Sequence, residues 1–197
     1  MSALHRRDEQ PTGLPQLTRG KHTNARSGTC LMEYVSILAG SRFTDRPRCT
    51  HPLLAWVARR VNDDITDDAT RQQLVLRAPA LIDTRVRDPR VRPTLLIALA
   101  EAGLAQHPDD EWLRHTMQRA TRRLARLADP EHRPRFAQLC PSVDLASLYV
   151  HVFHSMCHRP DAERDRLLVA MLDIAITKCR GLLTLPTVPT AATPVLR

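Results

Sequence analysis

The stretch TDRPRCTHP, residues 44–52, sets Asp45, Cys49 and His51 close together in a turn between two apolar runs. A cysteine beside a histidine at a helix start can be a low-pKa thiolate nucleophile. With His51 and Cys30 it can equally be a metal ligand. The same residues also make a plain polar corner, with Asp45 accepting backbone N–H groups in a turn closed by Pro47 and Cys49 buried as a small apolar group. Glu33 is the only charge in an otherwise apolar helical run and lies one turn from Cys30. A carboxylate there must be paired or bind its proton more tightly. Arg42, Arg46 or Arg48 from the following corner would make it a structural lock; unpaired, it would be a general base or a metal ligand.

HVFHSMCH, residues 151–158, is the second cluster. On a helical wheel His151, His154 and His158 fall within about 60° of one another, and Cys157 adds a fourth donor for a transition metal. Asp144, Ser147 and Ser155 share that sector while Leu145, Tyr149, Val152 and Met156 lie opposite, so the same wheel describes a polar face in water. The third cluster is basic. Arg119, Arg122, Arg123 and Arg126, with His115, gather within about 100° on one helix. They could track phosphates or meet a partner protein, or simply be a solvated face.

Helices punctuated by proline must position these groups. TCLMEYVSILAG (29–40) is apolar nearly all round and reads as the buried central helix. HPLLAWVARRVND (51–63) has Pro52 in its first turn, and TDDATRQQLVLRAP (66–79) opens with a capping Thr or Asp. PTLLIALAEAGL (93–104) follows a charged connection. In the next helix, 109–129, Leu113, Met117, Ala120, Leu124 and Leu127 form one narrow stripe. Segments 142–158 and 161–180 complete an all-α, bundle-like array of six to eight helices. Residues 1–28 lack an apolar period and read as a flexible or surface-laid arm, 29–180 as one helical domain, and 181–197, with three prolines, as an extended tail.

Composition narrows the function. The 197 residues are 43% hydrophobic but only 4% aromatic, and six glycines are too few for a sheet-rich fold. The formal charge is +8, yet of 29 basic residues only Lys21 and Lys178 are lysine. Such arginine bias fits a GC-rich genome and weakens the charge as a sign of nucleic-acid binding. Five widely spaced cysteines, with no C-x-x-C pair, fit a reduced, cytoplasmic protein. No run approaches the ~20 apolar residues of a membrane span. No P-loop, dinucleotide fingerprint, H-E-x-x-H, G-x-S-x-G or paired E-x-x-H occurs.

Residues 30–63 resemble a group of uncharacterised proteins from actinobacteria and their phages. There a Cys-x-x-Glu helix ends in Ala-Gly, followed by an aromatic, Ser/Thr-Asp-x-Pro, a proline-started helix and Asn-Asp. The matching residues are Cys30, Glu33, Ala39, Gly40, Phe43, Thr44, Asp45, Pro47, Pro52, Asn62 and Asp63. The resemblance covers residues 29–85 and implies that Glu33, Asp45 and Asn62–Asp63 belong to one structural unit, but implies no activity. The expectation is a non-catalytic helical protein, without a cofactor, that acts through a protein partner or as a homo-oligomer. Two alternatives stand beside it. One is a metal-binding protein or small enzyme of specialised metabolism that uses the Cys/Glu/Asp/His residues. The other is a binder of nucleic-acid backbones through the arginine face.

Overall fold

Capping chemistry and proline set most of the helix ends. In the computed structural model, which describes residues 15–128 and 144–184, the chain is all-α. The α-helices are α1 Leu31–Leu38, α2 Pro52–Asp64, α3 Asp68–Gln72, α4 Ala78–Leu81, α5 Val91–Leu104, α6 Glu111–Ala128, α7 Leu145–Met156 and α8 Asp161–Leu183. Two 3-10 turns, Ala25–Ser27 and Gln73–Arg77, and one isolated bridge, Leu17 to Thr29, are the other regular elements among the described residues. No described helix is long and apolar enough to cross a membrane.

The central helix is α5, not α1 as its all-round apolar character suggested. α1 has only eight residues, packs on α2 and α4, and leaves Leu38 at 43% exposure. α5 packs against α6, α7, α8 and α2 and buries residues on every side, from Val91 to Gly103. Gly103 permits this closeness. A Cβ there would stand 2.6 Å from Leu113 Cδ1 of α6 and 3.0 Å from Val152 Cγ2 of α7. Leu113 and Leu148 are wholly buried, each contributing about 1.5–3 kcal/mol of apolar burial.

The single helix expected over 66–79 is broken into α3, a 3-10 turn and α4. Pro79 has no N–H to return to the Val75 carbonyl, which takes the Ala78 N–H in a tighter bond instead. The start of α3 is tied across the fold. Asp165 of α8, fully buried, accepts from the Thr66 and Asp67 amides and from the Thr66 hydroxyl at 2.8–3.0 Å.

Residues 15–28, expected to belong to a flexible or surface-laid arm, are bonded into the structure. Leu17 is 1% exposed, and the Gln72 side chain brackets it, accepting from its N–H and donating to its carbonyl. Asn62 donates to the Thr18 carbonyl, Arg19 donates to the Ile65 carbonyl, and Asp63 accepts from the Gly20 amide. Gly28, at φ 114, brings the arm close. A Cβ there would meet Thr18 Oγ1 at 2.3 Å. At the other end α8 runs through Leu183, past the expected start of the tail at 181, and Leu182 is buried. Residues 1–14, 129–143 and 185–197 lie outside the described residues.

Candidate functional site

Two places gather the chemistry-bearing side chains. The first lies where the arm crosses α1 and α2. Helical side chains lean toward the N-terminus, so Glu33, at the third position of α1, reaches back rather than forward. Its Oε2 accepts from the Cys30 amide at 2.8 Å, as in a capping box. Its two oxygens also accept from the His22 amide and from His22 Nδ1, both at 2.8 Å. The partner of this fully buried carboxylate is therefore His22 of the arm, not an arginine of the corner; Arg42, Arg46 and Arg48 are exposed. His22 Nε2 in turn meets the Thr18 hydroxyl at 2.8 Å. Asn62 completes the cap by accepting from the Leu31 amide.

Asp45 departs from its expected role. Among the described residues its carboxylate makes no hydrogen bond to backbone. It stands 3.8 Å from Lys21 Nζ and 3.9 Å from Arg59 Nε, although the residue is 8% exposed. Only its carbonyl is bonded, accepting from Arg59 Nη1 at 2.7 Å. Beside it lies a cavity of about 180 Å³, walled by the arm at Gly20 and Lys21, by Cys30 and by Trp56, Arg59, Arg60 and Asp63 of α2. Burial, reinforced by the charge of Glu33 and opposed by hydrogen bonding to the Glu33 amide, pushes the Cys30 thiol up to about 12. It is no nucleophile near neutrality.

Cys49 and His51 face elsewhere. Cys49 Sγ lies 3.8 Å from the Thr50 hydroxyl, and its carbonyl accepts from the Arg85 amide. His51 is the N-cap of α2. Its Nδ1 accepts from the Leu53 amide at 3.2 Å, so that nitrogen carries no proton. Burial and the charge of Arg85 hold its pKa below the ordinary histidine value, against the pull of Asp88. Cys30, Glu33 and Asp45 thus belong to the arm side, while Cys49 and His51 stabilise the corner.

The second place is an open groove of about 640 Å³ between the α5–α6 turn and α7, lined by His107, Pro108, Asp110, His151, His154 and Ser155 among others. Asp110 ties both walls. It accepts from the Leu113 amide at the start of α6 and from His151 Nε2 at 2.7 Å. Burial pushes the Asp110 carboxyl up, but these bonds outweigh it and hold the group below the usual carboxylate range. Trp112 stacks on the His151 ring at 4.5 Å and stands 39% exposed at the rim.

His151 and His154 of α7 and His158 of the turn after it do not converge on one point. His151 binds Asp110, His154 faces the groove, and His158 packs edge-on to His107, whose Nε2 donates to the Ser155 carbonyl. Cys157 is exposed and turned back to the Phe153 carbonyl. Among the described residues no three His, Cys, Asp or Glu side chains form a metal-holding group. On α6, Arg119, Arg122 and Arg126 are exposed and Arg123 half-buried, and both Arg119 and Arg123 are engaged in interactions.

His22, Trp56, Asp110 and Trp112 were missed by sequence reasoning, while Asp63 was named only as part of the structural unit with Glu33 and Asp45. A tryptophan beside three acids at a helix start, DDEWL, was the one local signal that could have drawn attention to Asp110 and Trp112. The chain matches no protein-family model, no curated protein and no solved structure.

Proposed function

We propose that this is a non-catalytic helical protein that self-associates through the face carrying the α6–α7 groove. The observation that carries the reading is Trp112, a large apolar side chain held proud beside a groove on the same face. A knob next to a hole is self-complementary, and a two-fold axis through that face lets each copy seat its Trp112 in the other's groove. Exposed tryptophans at the centre of a contact contribute disproportionately to association. Val150 is a second exposed apolar side chain on α7, at 43%. The groove carries Asp109 and Asp110 beside His107, His151 and His154, so a facing copy can find opposite charge locally despite the overall charge of +8. Of the candidate catalytic groups, Glu33 and His51 are occupied in capping helices, which supports a binding role too.

Light scattering coupled to gel filtration tests this. The wild type should run at about twice the 22.3 kDa chain mass in the micromolar range, and Trp112→Ala should run as a folded monomer. A wild type that stays monomeric at about 100 μM, or a Trp112→Ala dimer as tight as wild type, overturns it.

A further inference from the structure

We propose that the cavity under the arm is a binding site for a small zwitterion that carries an ammonium and a carboxylate on one short scaffold, the chemistry of a free α-amino acid. The inference begins with Asp45. Its side chain, 12% exposed, lines the cavity, where a carboxylate normally accepts hydrogen bonds from protein or water. This one accepts none among the described residues, and its two nearest cations stop at 3.8 and 3.9 Å. By contrast, the Arg77–Asp173 and Arg90–Asp88 pairs close to 2.8 and 2.7 Å. Asp45 is thus poised for a donor that enters the cavity.

The walls supply the other half. Lys21, Arg59 and Arg60 line the same cavity. Lys21 is 72% exposed along its side chain and has only the long contact to Asp45, so its ammonium is free to turn toward an anion. Arg60 lies 5.6 Å over the Tyr149 ring and spends one nitrogen on Asp64, leaving others for a carboxylate. Asp63 adds a second acid, its Oδ1 already holding the Gly20 and Asn62 side of the wall. Acids and bases around one small space fit a ligand with both charges better than either ion alone.

Size and shape agree. About 180 Å³ exceeds the space of a single water by roughly an order of magnitude, yet falls short of the usual drug- or nucleotide-sized pocket. Trp56, packed edge-on to Tyr149 at 5.5 Å, offers an apolar wall for a side chain. Cys30, held as a neutral thiol, contributes surface rather than chemistry.

Trp56 is also the reporter. In full-length Trp112→Phe protein it is the one remaining tryptophan. Its fluorescence and calorimetric heat are followed during titration with each of the twenty protein amino acids, with ethylamine and with acetate. At least one amino acid should saturate at or below about 10 mM, with ethylamine and acetate at least about tenfold weaker. Asp45→Asn should weaken that amino acid by at least about tenfold while its circular dichroism matches wild type. Lys21→Ala, on an exposed side chain that the fold does not need, should weaken it severalfold. The proposal falls if no amino acid saturates, if ethylamine or acetate binds as tightly, or if both variants bind like wild type. Because the groove lies on other helices, the oligomeric state reads independently of this result.

Discussion

Glu33→Gln is the most informative single substitution, because it isolates the bond between arm and core. The carboxylate accepts from three donors at 2.8 Å, two of them on His22 and one the amide of Cys30, with no access to water. Glutamine keeps one acceptor oxygen and turns an NH2 group toward donors that need the other. A hydrogen bond to a charged group contributes about 1.5–3 kcal/mol, and an orphaned buried donor costs a further 1–3. The expected loss is about 3 kcal/mol, or roughly a hundredfold in the equilibrium the bond controls. That equilibrium is first the release of residues 15–28, since two of the three donors belong to them. The amides of Leu17, Thr18, Gly20 and His22, all bonded in the structure, should exchange hydrogen faster by about two orders of magnitude in Glu33→Gln. Trypsin should cut at Arg19, Lys21 and Arg26 before Arg59 or Arg60 in α2. Arg46→Ala serves as the control, because an exposed arginine that does not bond Glu33 should leave stability within about 0.5 kcal/mol. If Glu33→Gln loses less than about 0.5 kcal/mol and the arm amides exchange as in wild type, the lock is not where the geometry puts it.

Three other outcomes follow from the same contacts. The folded-state pKa of His51 lies below its unfolded value, so its contribution to stability is full above about pH 6.5 and is lost as pH falls toward the lowered value. His51→Asn keeps an N-cap but cannot titrate. The stability of wild type relative to this variant should therefore drop between pH 7 and about 5 in urea unfolding, and a constant difference would refute the assignment. Asp165→Ala orphans the start of α3 and should cost about 3 kcal/mol, with Asp165→Asn recovering part of it in thermal melts. In native protein treated with iodoacetamide near pH 8, mass mapping should find that, among the described cysteines, Cys157 is modified first and Cys49 more slowly. Cys30 and Cys179, both buried with thiols pushed up to about 12, should stay protected until unfolding.

The legible parts of this fold are those encoded within one helix. The stripe from Leu113 to Leu127 predicted α6, whose start at Glu111 falls two residues after the expected one, and Pro52 and Asp161 marked two helix starts. The contacts that organise the site are of another kind. Glu33 and His22 are 11 residues apart, Leu17 and Gln72 are 55, His151 and Asp110 are 41, and Thr66 and Asp165 are 99. None leaves a periodic trace, because a polar side chain that bonds a distant backbone looks the same in sequence as one in water. Glu33 was recognisable as a buried charge, but not its partner: the expectation looked downstream, while the tilt of helical side chains sent the carboxylate upstream. The anchoring of the arm was not legible for a related reason. Its order rests on hydrogen bonds from Gln72, Asn62, Asp63 and Glu33 rather than on an apolar face of its own, and only Leu17 reaches the core.

The shared use of residues bears on how the arm end works. Asp63 both holds Gly20 and lines the cavity; Cys30 both starts α1 and forms part of the same wall; Lys21 belongs to the arm and faces Asp45. Closing the arm and shaping the cavity are thus one event, and the network around Glu33 sets how often the cavity exists in a form that can bind. A ligand seated there stabilises the closed arm by mass action, since it meets Lys21 and Asp63 together only when Gly20 is in place. The groove at α6 and α7 has a different support, the Asp110 bond between two helix walls, and draws on none of those residues. The same small helical frame thereby carries two sites that can fail separately, one maintained by an arm and the other by a pair of helices packed on α5.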